Sequence, residues 1–435
     1  MYKFSLAILL SLMTLEVLFL VKSYNQRTNS KLNPVSIMCY LWLLLLNMAF
    51  YIGDRFNYYP IDLGCVISVI AFLNIIVIVA WLTSRAHSIE TQDYVSFIEL
   101  IDAKRVYTVS LIGFALFIVG NVFYFRDLGR HIPLGYLYAN IWRWKNLVLT
   151  GGFNEESILY IGRNISILGT LFAVNLLVSW NNKRHRLMSA FVCIVYVAIV
   201  FLNARRDPMI DKMIYFLAPI IFVYRNRITK LYKYLIPLAV IFVFLFIYIS
   251  DALTFGQRSM LELAGRYTFA PFNSFQNALD VGYPTNTDLP LGNTFYFIYM
   301  ILKYIHPVFT PPYIVLTSVG ENTGNVYTAL IAPLIDSHGN TFLFAIILII
   351  YAIYIGLLFG VSHNLVAKNN NLSSFVFYSA IFACAIRSFY NPTFSYAEVV
   401  GGVINALVVY LFMNKYLASK HIQQEGARWG EQVNG

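Results

Sequence analysis

A pair of arginines stands in a short gap between two long apolar runs of this chain. In the stretch VFLNARRDPMIDKM, residues 200–213, Arg205 and Arg206 precede Asp207 and Pro208. Because Asp is a common N-cap and Pro is favoured at the first helical position, we predict that a helix begins at Pro208. The unpaired N–H groups and positive dipole end of that helix would favour an anion beside the two guanidinium groups. The alternative is that either arginine pairs with a neighbouring Asp and only anchors the turn.

The composition is that of a membrane protein. Of the 435 residues, 59% are hydrophobic and only 12% are charged, whereas charged residues make up about a quarter of a soluble domain. The apolar residues form runs of roughly 17–22, which is the length needed to cross the hydrocarbon core of a bilayer. Backbone groups in lipid must be satisfied within their own segment, so these runs are predicted to be helices. The sequence therefore predicts an all-α polytopic membrane protein with a single integral membrane domain over residues 1–435.

We predict about eleven transmembrane helices, within a range of roughly ten to twelve. They are placed at 4–22, 35–52, 62–82, 106–124, 159–179, 187–203, 209–224, 234–250, 341–361, 374–390 and 396–414. Glu16 is a lone ionisable residue within the first of them, and we expect it to have a structural partner. The four cysteines all fall inside apolar runs without paired spacing, which predicts small core residues and not a metal or disulfide framework.

Basic loops set the predicted orientation, because Lys and Arg accumulate on the cytoplasmic side. The loops at 22–31, 182–186 and 225–233 and the tail after Asn414 all lie on one side of this map. The two long loops, 125–158 and 251–340, then lie on the outer side. The larger one contains an apolar stretch at 294–305 that is too short to span and is predicted to be an interfacial or re-entrant helix.

This orientation leaves a group of cations on the side where they are normally rare. They are Arg126, Arg130, Arg143, Lys145, Arg205, Arg206, Arg258 and Arg266, with Arg163 and Arg387 near the outer ends of spans. Arginine holds phosphate through two parallel hydrogen bonds from its planar fork. Several arginines at the outer interface therefore suggest that the chain binds a lipid-linked phosphate or diphosphate.

The stretch VGENTGNVYTALIAPLIDSHGN, residues 319–340, carries the most specific pattern in the chain. It resembles the Wzy-type O-antigen polymerase family, whose members have an Asn-x-Tyr-Thr segment that runs toward an Asp and a Gly before a late span. The matching positions here are Asn325, Tyr327, Thr328, Asp336 and Gly339. The NARRDP turn, and GRYTFAPFNSFQNAL followed by LGNTFYF, are also similar to features of this family. The likeness covers roughly residues 200–361, and it depends on the order of the features.

The resemblance implies a GT-C-like glycosyltransferase of the bacterial inner membrane, with its active site facing the periplasm. Such an enzyme joins undecaprenyl diphosphate-linked oligosaccharide repeat units into O-antigen or a related surface polysaccharide, and the lipid diphosphate is the leaving group. It implies no cofactor and no metal. We expect membrane lipids as partners and no nucleic acid, and a chain-length regulator protein is a further candidate partner.

The proposed chemistry requires cations for the leaving diphosphate, a base for the acceptor hydroxyl, and sugar contacts. Phosphate clamps are predicted at Arg205, Arg206, Arg143, Arg266 and Arg258. The candidate bases are Asp336, Glu262 and His338, although Asp336 has an alternative role as a cap near the helix that begins at about 341 and His338 is alternatively an ordinary loop residue. The candidate sugar contacts are Asn325, Tyr327 and Tyr267, with Arg387 as a further substrate-binding residue.

Three other activities remain as alternatives. A flippase or transporter of lipid-linked glycans would place its polar residues at mid-membrane, often in two repeated halves, whereas the charge here collects at the outer face. An O-antigen ligase carries a His directly before the Asn-x-Tyr, where this chain has Gly324; its nearest His is His338. An acyltransferase needs a buried His, and on this span map none of the seven His lies in the middle of a span.

Overall fold

The structure is almost entirely helical in the part of the chain that it describes. The computed structural model describes residues 2–85, 101–131, 157–202, 206–224, 265, 270–282, 290–302, 317–318, 323–324, 328–369, 371–389, 393–395 and 397–417. Within these residues the exception is a two-residue antiparallel ladder that pairs β1 (Thr317–Ser318) with β2 (Thr323–Gly324).

The helices vary widely in length. In chain order they are α1 (Tyr2–Thr28), α2 (Pro34–Ile52), α3 (Leu63–Thr83), α4 (Ala103–Gly129), α5 (Ile161–Asn164), α6 (Ile167–Val178), α7 (Lys183–Leu202), α8 (Arg206–Val223), α9 (Ala270–Val281), α10 (Tyr296–Leu302), α11 (Ile331–Asp336), α12 (Thr341–Asn369), α13 (Leu372–Arg387), α14 (Ala397–Val409) and α15 (Lys415–Leu417). Single 3-10 turns cover Gly53–Phe56, Ile158–Tyr160 and Ser179–Asn181, and a π-helical turn covers Tyr410–Asn414.

Five of the described helices are long and apolar enough to cross a membrane: α1, α2 with the turn after it, α3, α4 and α12. A sixth candidate is the stretch from Ile158 to Val178, which bends by 46°. Shorter apolar helices lie at His185–Phe201, Leu372–Arg387 and Glu398–Asn414. The prediction of an all-α membrane protein is confirmed at this level. The count of about eleven spans stays a prediction, and the span expected at 234–250 lies outside the described residues.

Several helix ends differ from the predicted ones. Helix α8 begins at Arg206 and not at Pro208, α4 continues to Gly129 inside the predicted loop 125–158, and α12 continues to Asn369. Predictions from apolar runs stop at the first charged residues, whereas helix backbone hydrogen bonds continue into the polar interface. The larger predicted loop, 251–340, contains α9, α10, α11 and the β ladder, and α10 falls within the stretch 294–305.

The chain divides into two compact units. The first unit contains Met1–Ser88, Ser259–Ala367 and Ala380–Val403, and the second contains Ile89–Arg258, Lys368–Ser379 and Ile404–Gly435.

The core of the first unit is aromatic. Trp42 of α2 is fully buried, and its ring centroid lies 5.4 Å from that of Phe72 on α3 and 5.5 Å from that of Phe272 on α9. Helices α3 and α12 approach closely, because an added Cβ at Gly356 or Gly360 of α12 would collide with Val79 or Thr83 of α3. Small residues allow such close helix packing in membranes, where lipid tails are as apolar as the side chains.

The second unit packs α4, α6, α7 and α8 together, and Phe172 on α6 contacts rings of α4 and α7. The centroid of this buried ring on α6 lies 5.3 Å from that of Tyr196 on α7 and 6.4 Å from that of Phe117 on α4. Polar side chains add specific contacts, since Asn175 Nδ2 donates to Ser189 Oγ at 2.9 Å across α6 and α7. The four cysteines of the chain are free and buried, as predicted.

Candidate functional site

Most of the predicted site residues lie outside the described residues. These are Arg143, Arg205, Arg258, Glu262, Arg266, Tyr267, Asn325 and Tyr327. Arg206 is described only through its backbone, as the first residue of α8. Asp336, His338 and Arg387 are fully described, and all three belong to the first unit. The candidate site is therefore built from these three and from the segments that hold them.

Helix α9 fixes part of the large loop to the membrane helices of the first unit. The carbonyl oxygen of the Gln276 side chain accepts hydrogen bonds from the backbone N–H groups of Asp62 at 3.0 Å and Cys65 at 3.3 Å, at the start of α3. Asn273 Nδ2 donates to the carbonyl oxygen of Tyr59 at 2.6 Å. These side chains satisfy backbone groups that a helix start and a turn otherwise leave open. The segment that resembles the polymerases, APFNSFQNAL, is thus a docked helix, which the sequence analysis did not predict.

Asp336 is a buried carboxylate that holds the segment LGNTF in place. Its two oxygens accept from the backbone N–H of Asn293 at 3.0 and 3.2 Å, from Asn293 Nδ2 at 2.8 Å and from the backbone N–H of Thr294 at 2.7 Å. The residue is 7% exposed. Hydrogen bonds to an ionised acceptor are stronger than those between neutral groups. This geometry gives Asp336 a positioning role between α11 and the segment before α10.

The alternative role of Asp336 as a helix cap is taken by another residue. Asn340 Oδ1 accepts from the backbone N–H of Leu343 at 3.0 Å at the start of α12. His338 has a left-handed backbone with φ of 49°, is exposed, and its N–H donates to the carbonyl oxygen of Ile335 at 3.1 Å as α11 ends. This place in a turn after a short helix agrees with the loop alternative, and the role of His338 as a base stays a prediction.

The segment held by Asp336 continues into contacts with the stretch after α13. The backbone N–H of Phe297 donates to the carbonyl oxygen of Ser395 at 2.9 Å, and the hydroxyl groups of Ser395 and Tyr351 are 2.8 Å apart. Burial raises the pKa of Tyr299 on α10, and the Asp336 carboxylate adds to that rise. The Tyr299 hydroxyl donates to the carbonyl oxygen of Pro290 at 2.7 Å. This bond connects α10 to the start of the turn that precedes it.

Ala329, which follows the Asn325–Thr328 motif directly, is hydrogen-bonded to the residue that follows Arg387. The backbone N–H of Ala329 donates to the carbonyl oxygen of Ser388 at 2.9 Å, and Trp42 Nε1 donates to Ser388 Oγ at 2.9 Å. Arg387, the last residue of α13, is 5% exposed, and its Nη2 lies 3.9 Å from Glu398 Oε1 on α14. This separation is an ionic contact that is too long for a hydrogen bond.

We call Asn293, Thr294, Ala329, Asp336, Arg387, Ser388 and Ser395 the buried polar cluster. Backbone hydrogen bonds link its parts to α10, α11 and α13. Asp336 binds Asn293 and Thr294, and Ala329 binds the residue after Arg387, so the chain from 329 to 336 connects one predicted base candidate with the segment of one predicted cation. A buried guanidinium in such a region can stabilise a developing anion more strongly than an arginine in water.

The outer arginines of the second unit have a different environment. Asp127 lies 2.9 Å from Arg126 Nη2 and 3.4 Å from Arg130 Nη1, and it also accepts from the Tyr160 hydroxyl at 2.8 Å. Arg163 is buried, with its guanidinium carbon 3.4 Å from the centre of the Tyr124 ring. With Arg387, which contacts Glu398, four of the ten cations on the outer side of the sequence map therefore have local partners, which lowers the number that are available for a phosphate.

One buried histidine bears on the acyltransferase alternative. His363 lies within α12, beyond the predicted end of that span, and is 3% exposed. The expectation concerned the middle of a span, and His363 lies in the last part of α12, so its burial and not its depth is what bears on that alternative.

The described residues contain no group of three or more His, Cys, Asp or Glu side chains that could hold a metal ion. Neither a protein-family model nor a curated protein nor a solved structure matches this chain.

Proposed function

We propose that this chain is a polymerase of lipid-linked oligosaccharide repeat units. It would work as a GT-C-like glycosyltransferase with about eleven spans in the bacterial inner membrane, with the reaction on the periplasmic side. The growing glycan moves from its undecaprenyl diphosphate to the acceptor unit, and the lipid diphosphate leaves. Arg205, Arg206 and Arg266 act as phosphate clamps in this proposal, with Arg143 and Arg258 behind them.

The observation that carries the proposal is the contact between the polymerase-like segment and the buried Arg387 region. Ala329 lies directly after the Asn-x-Tyr-Thr stretch, and its N–H is hydrogen-bonded to the residue after Arg387. The Asp at the end of that segment is buried and holds LGNTF, the second stretch that resembles the family. Three stretches selected from the sequence for one reaction are thus joined by hydrogen bonds. This supports a shared role for them.

In this proposal Arg387 contacts the anionic part of the substrate, and Asp336 positions the surrounding segments. Removal of one charge-stabilising donor typically lowers catalytic rates about 100- to 1,000-fold. Arg387→Lys keeps the charge but loses the planar fork, so we expect a smaller loss than for Arg387→Ala.

The experiment compares surface glycans from the native host, with its own gene deleted and each variant supplied in its place. Wild type should restore a ladder of many repeat units on a gel. Arg387→Ala should give lipid capped with one unit, because transport and ligation still act on single units. Arg205→Ala, Arg206→Ala and Arg266→Ala should do the same.

The matched control is Arg55→Ala, an exposed arginine of the first unit in the turn after α2. This variant should retain the full ladder at equal membrane abundance. Full ladders from Arg387→Ala and from every clamp variant would refute the assignment of these residues. Loss of all capped lipid in the deletion strain would instead favour a flippase or a ligase.

A further inference from the structure

Helix α1 carries a carboxylate on an outward-facing apolar surface. Glu16 lies near the middle of the helix and is exposed, and so are Leu12 at 60%, Leu15 at 62% and Phe19 at 70%. Outward-facing apolar residues are what lipid requires, so they need no partner. Glu16 does, because an ionisable side chain facing hydrocarbon is costly and normally faces protein or water.

Within the described part of the chain, Glu16 has one hydrogen-bond partner. Asn74 Nδ2 on α3 donates to Glu16 Oε1 at 3.2 Å. The other polar atom of that amide, Asn74 Oδ1, is buried without a hydrogen-bond partner. A carboxyl group has two oxygens and can take part in several hydrogen bonds, so one bond leaves most of this capacity unused. Among the described residues, Glu16 therefore faces outward from α1 with hydrogen-bonding capacity left over.

The spacing of the exposed residues specifies what lies opposite Glu16. Ile8, Leu12, Leu15 and Phe19 follow the four-three-four spacing of coiled-coil a and d positions. Leu12 and Phe19 then occupy a positions, which places Glu16 at an e position and Ser11 at the preceding g position. In a parallel helix pair, a g residue of one helix faces the e residue of the next heptad in the other helix. Ser11 of one copy then faces Glu16 of another.

Two copies of one chain in a membrane have the same orientation, so a two-fold axis along the membrane normal pairs the same helix in parallel. We propose that the chain forms a homodimer through α1, in which the Ser11 hydroxyl donates to the Glu16 carboxyl of the second copy. Ser11 is exposed, and in the single chain its hydroxyl donates to Ala7 O of its own helix at 2.8 Å. In the dimer this one proton is donated to Glu16 of the second copy instead. This inference does not depend on the proposed function.

Cysteine cross-linking in native membranes tests the dimer. The natural cysteines are buried, so an introduced cysteine reports its own surroundings. Leu15→Cys places a thiol at a d position near the proposed axis, and oxidation should give a band of twice the chain mass. The matched control is Leu116→Cys on α4, which is 49% exposed and lies outside the proposed interface. It should give a background level of dimer.

Second-site changes in the Leu15→Cys background test the hydrogen bond itself. Glu16→Leu should reduce the dimer band to the level of the Leu116→Cys control, and Ser11→Ala should reduce it severalfold. Glu16→Gln should retain the band, because its amide oxygen still accepts. Equal yields from Leu15→Cys and Leu116→Cys, an unchanged band with Glu16→Leu, or cross-linking only to a different protein would each overturn the proposal.

Discussion

Asp336 illustrates at the residue scale how a candidate base can have a positioning role. Both of its oxygens accept hydrogen bonds from Asn293 and Thr294, and the residue is buried. A carboxylate in such a site stabilises the loop that it binds. Removal of an acceptor leaves buried N–H donors without partners, and this costs about 1–3 kcal/mol.

Asp336→Asn is therefore expected to lower the free energy of unfolding by about 1–3 kcal/mol. The Asn side chain replaces one acceptor oxygen with an NH₂ group, so buried backbone N–H donors lose their partner. A thiol-reactive dye can follow thermal unfolding in detergent, since the four buried cysteines become accessible only on unfolding. Asp54→Asn is the control. Asp54 pairs with Lys3 at the surface, with 52% of its side chain exposed, so its loss should change stability by less than about 1 kcal/mol. An Asp336→Asn protein with unchanged stability and no activity would support a base in place of a positioning residue.

At the element scale, the contact between α3 and α12 depends on glycines. Gly360→Ala would push a methyl group into Thr83, and overpacking of this kind costs about 1–3 kcal/mol. We expect a lower unfolding midpoint in the same dye assay. The control is Gly401→Ala on α14, where an added Cβ meets nothing within 4 Å. That change should leave the midpoint equal or slightly higher, because Ala is the better helix former. Equal midpoints for the two variants would contradict the observed packing.

The long apolar helices could be predicted from the sequence, because each is a continuous run of apolar residues that is long enough to cross a bilayer. Helix α9 could not. Its Asn273, Ser274 and Gln276 make APFNSFQNAL look like a polar loop, whereas the structure buries all three against neighbouring helices. The partners of Asp336 were equally hidden, since Asn293 lies 43 residues upstream and no local spacing connects the two. Arg387 was identified from the sequence because a charged residue within or beside a membrane span is unusual, whatever its tertiary contacts.

At the scale of the whole molecule, the basic loops predict the orientation of the chain in the membrane. Asp54, in the turn after α2, should lie on the periplasmic side, and Lys183, at the start of α7, on the cytoplasmic side. Both residues are exposed. A membrane-impermeant thiol reagent should label Asp54→Cys in cells whose outer membrane has been opened. Lys183→Cys should be labelled only after lysis. The reverse pattern would place the predicted outer arginines in the cytoplasm, away from periplasmic substrates.

The proposed function also requires that the chain alone performs the coupling. In the proposed reaction the donor already carries its lipid diphosphate leaving group, so the assay supplies no nucleotide and no metal. Purified protein in liposomes, given lipid-linked repeat units extracted from the host, allows a direct test. The control liposomes contain an equal amount of correctly folded Arg387→Ala variant.

Mass spectrometry of the lipid-linked glycans in these liposomes gives the most direct measurement. The account predicts glycans of two, three and more repeat units on one lipid, with free polyprenyl diphosphate formed in equal number to the new linkages. The Arg387→Ala liposomes should contain almost only single units. Single units alone in the wild-type liposomes, with the protein folded and the substrate present in both leaflets, would contradict the assignment as a polymerase.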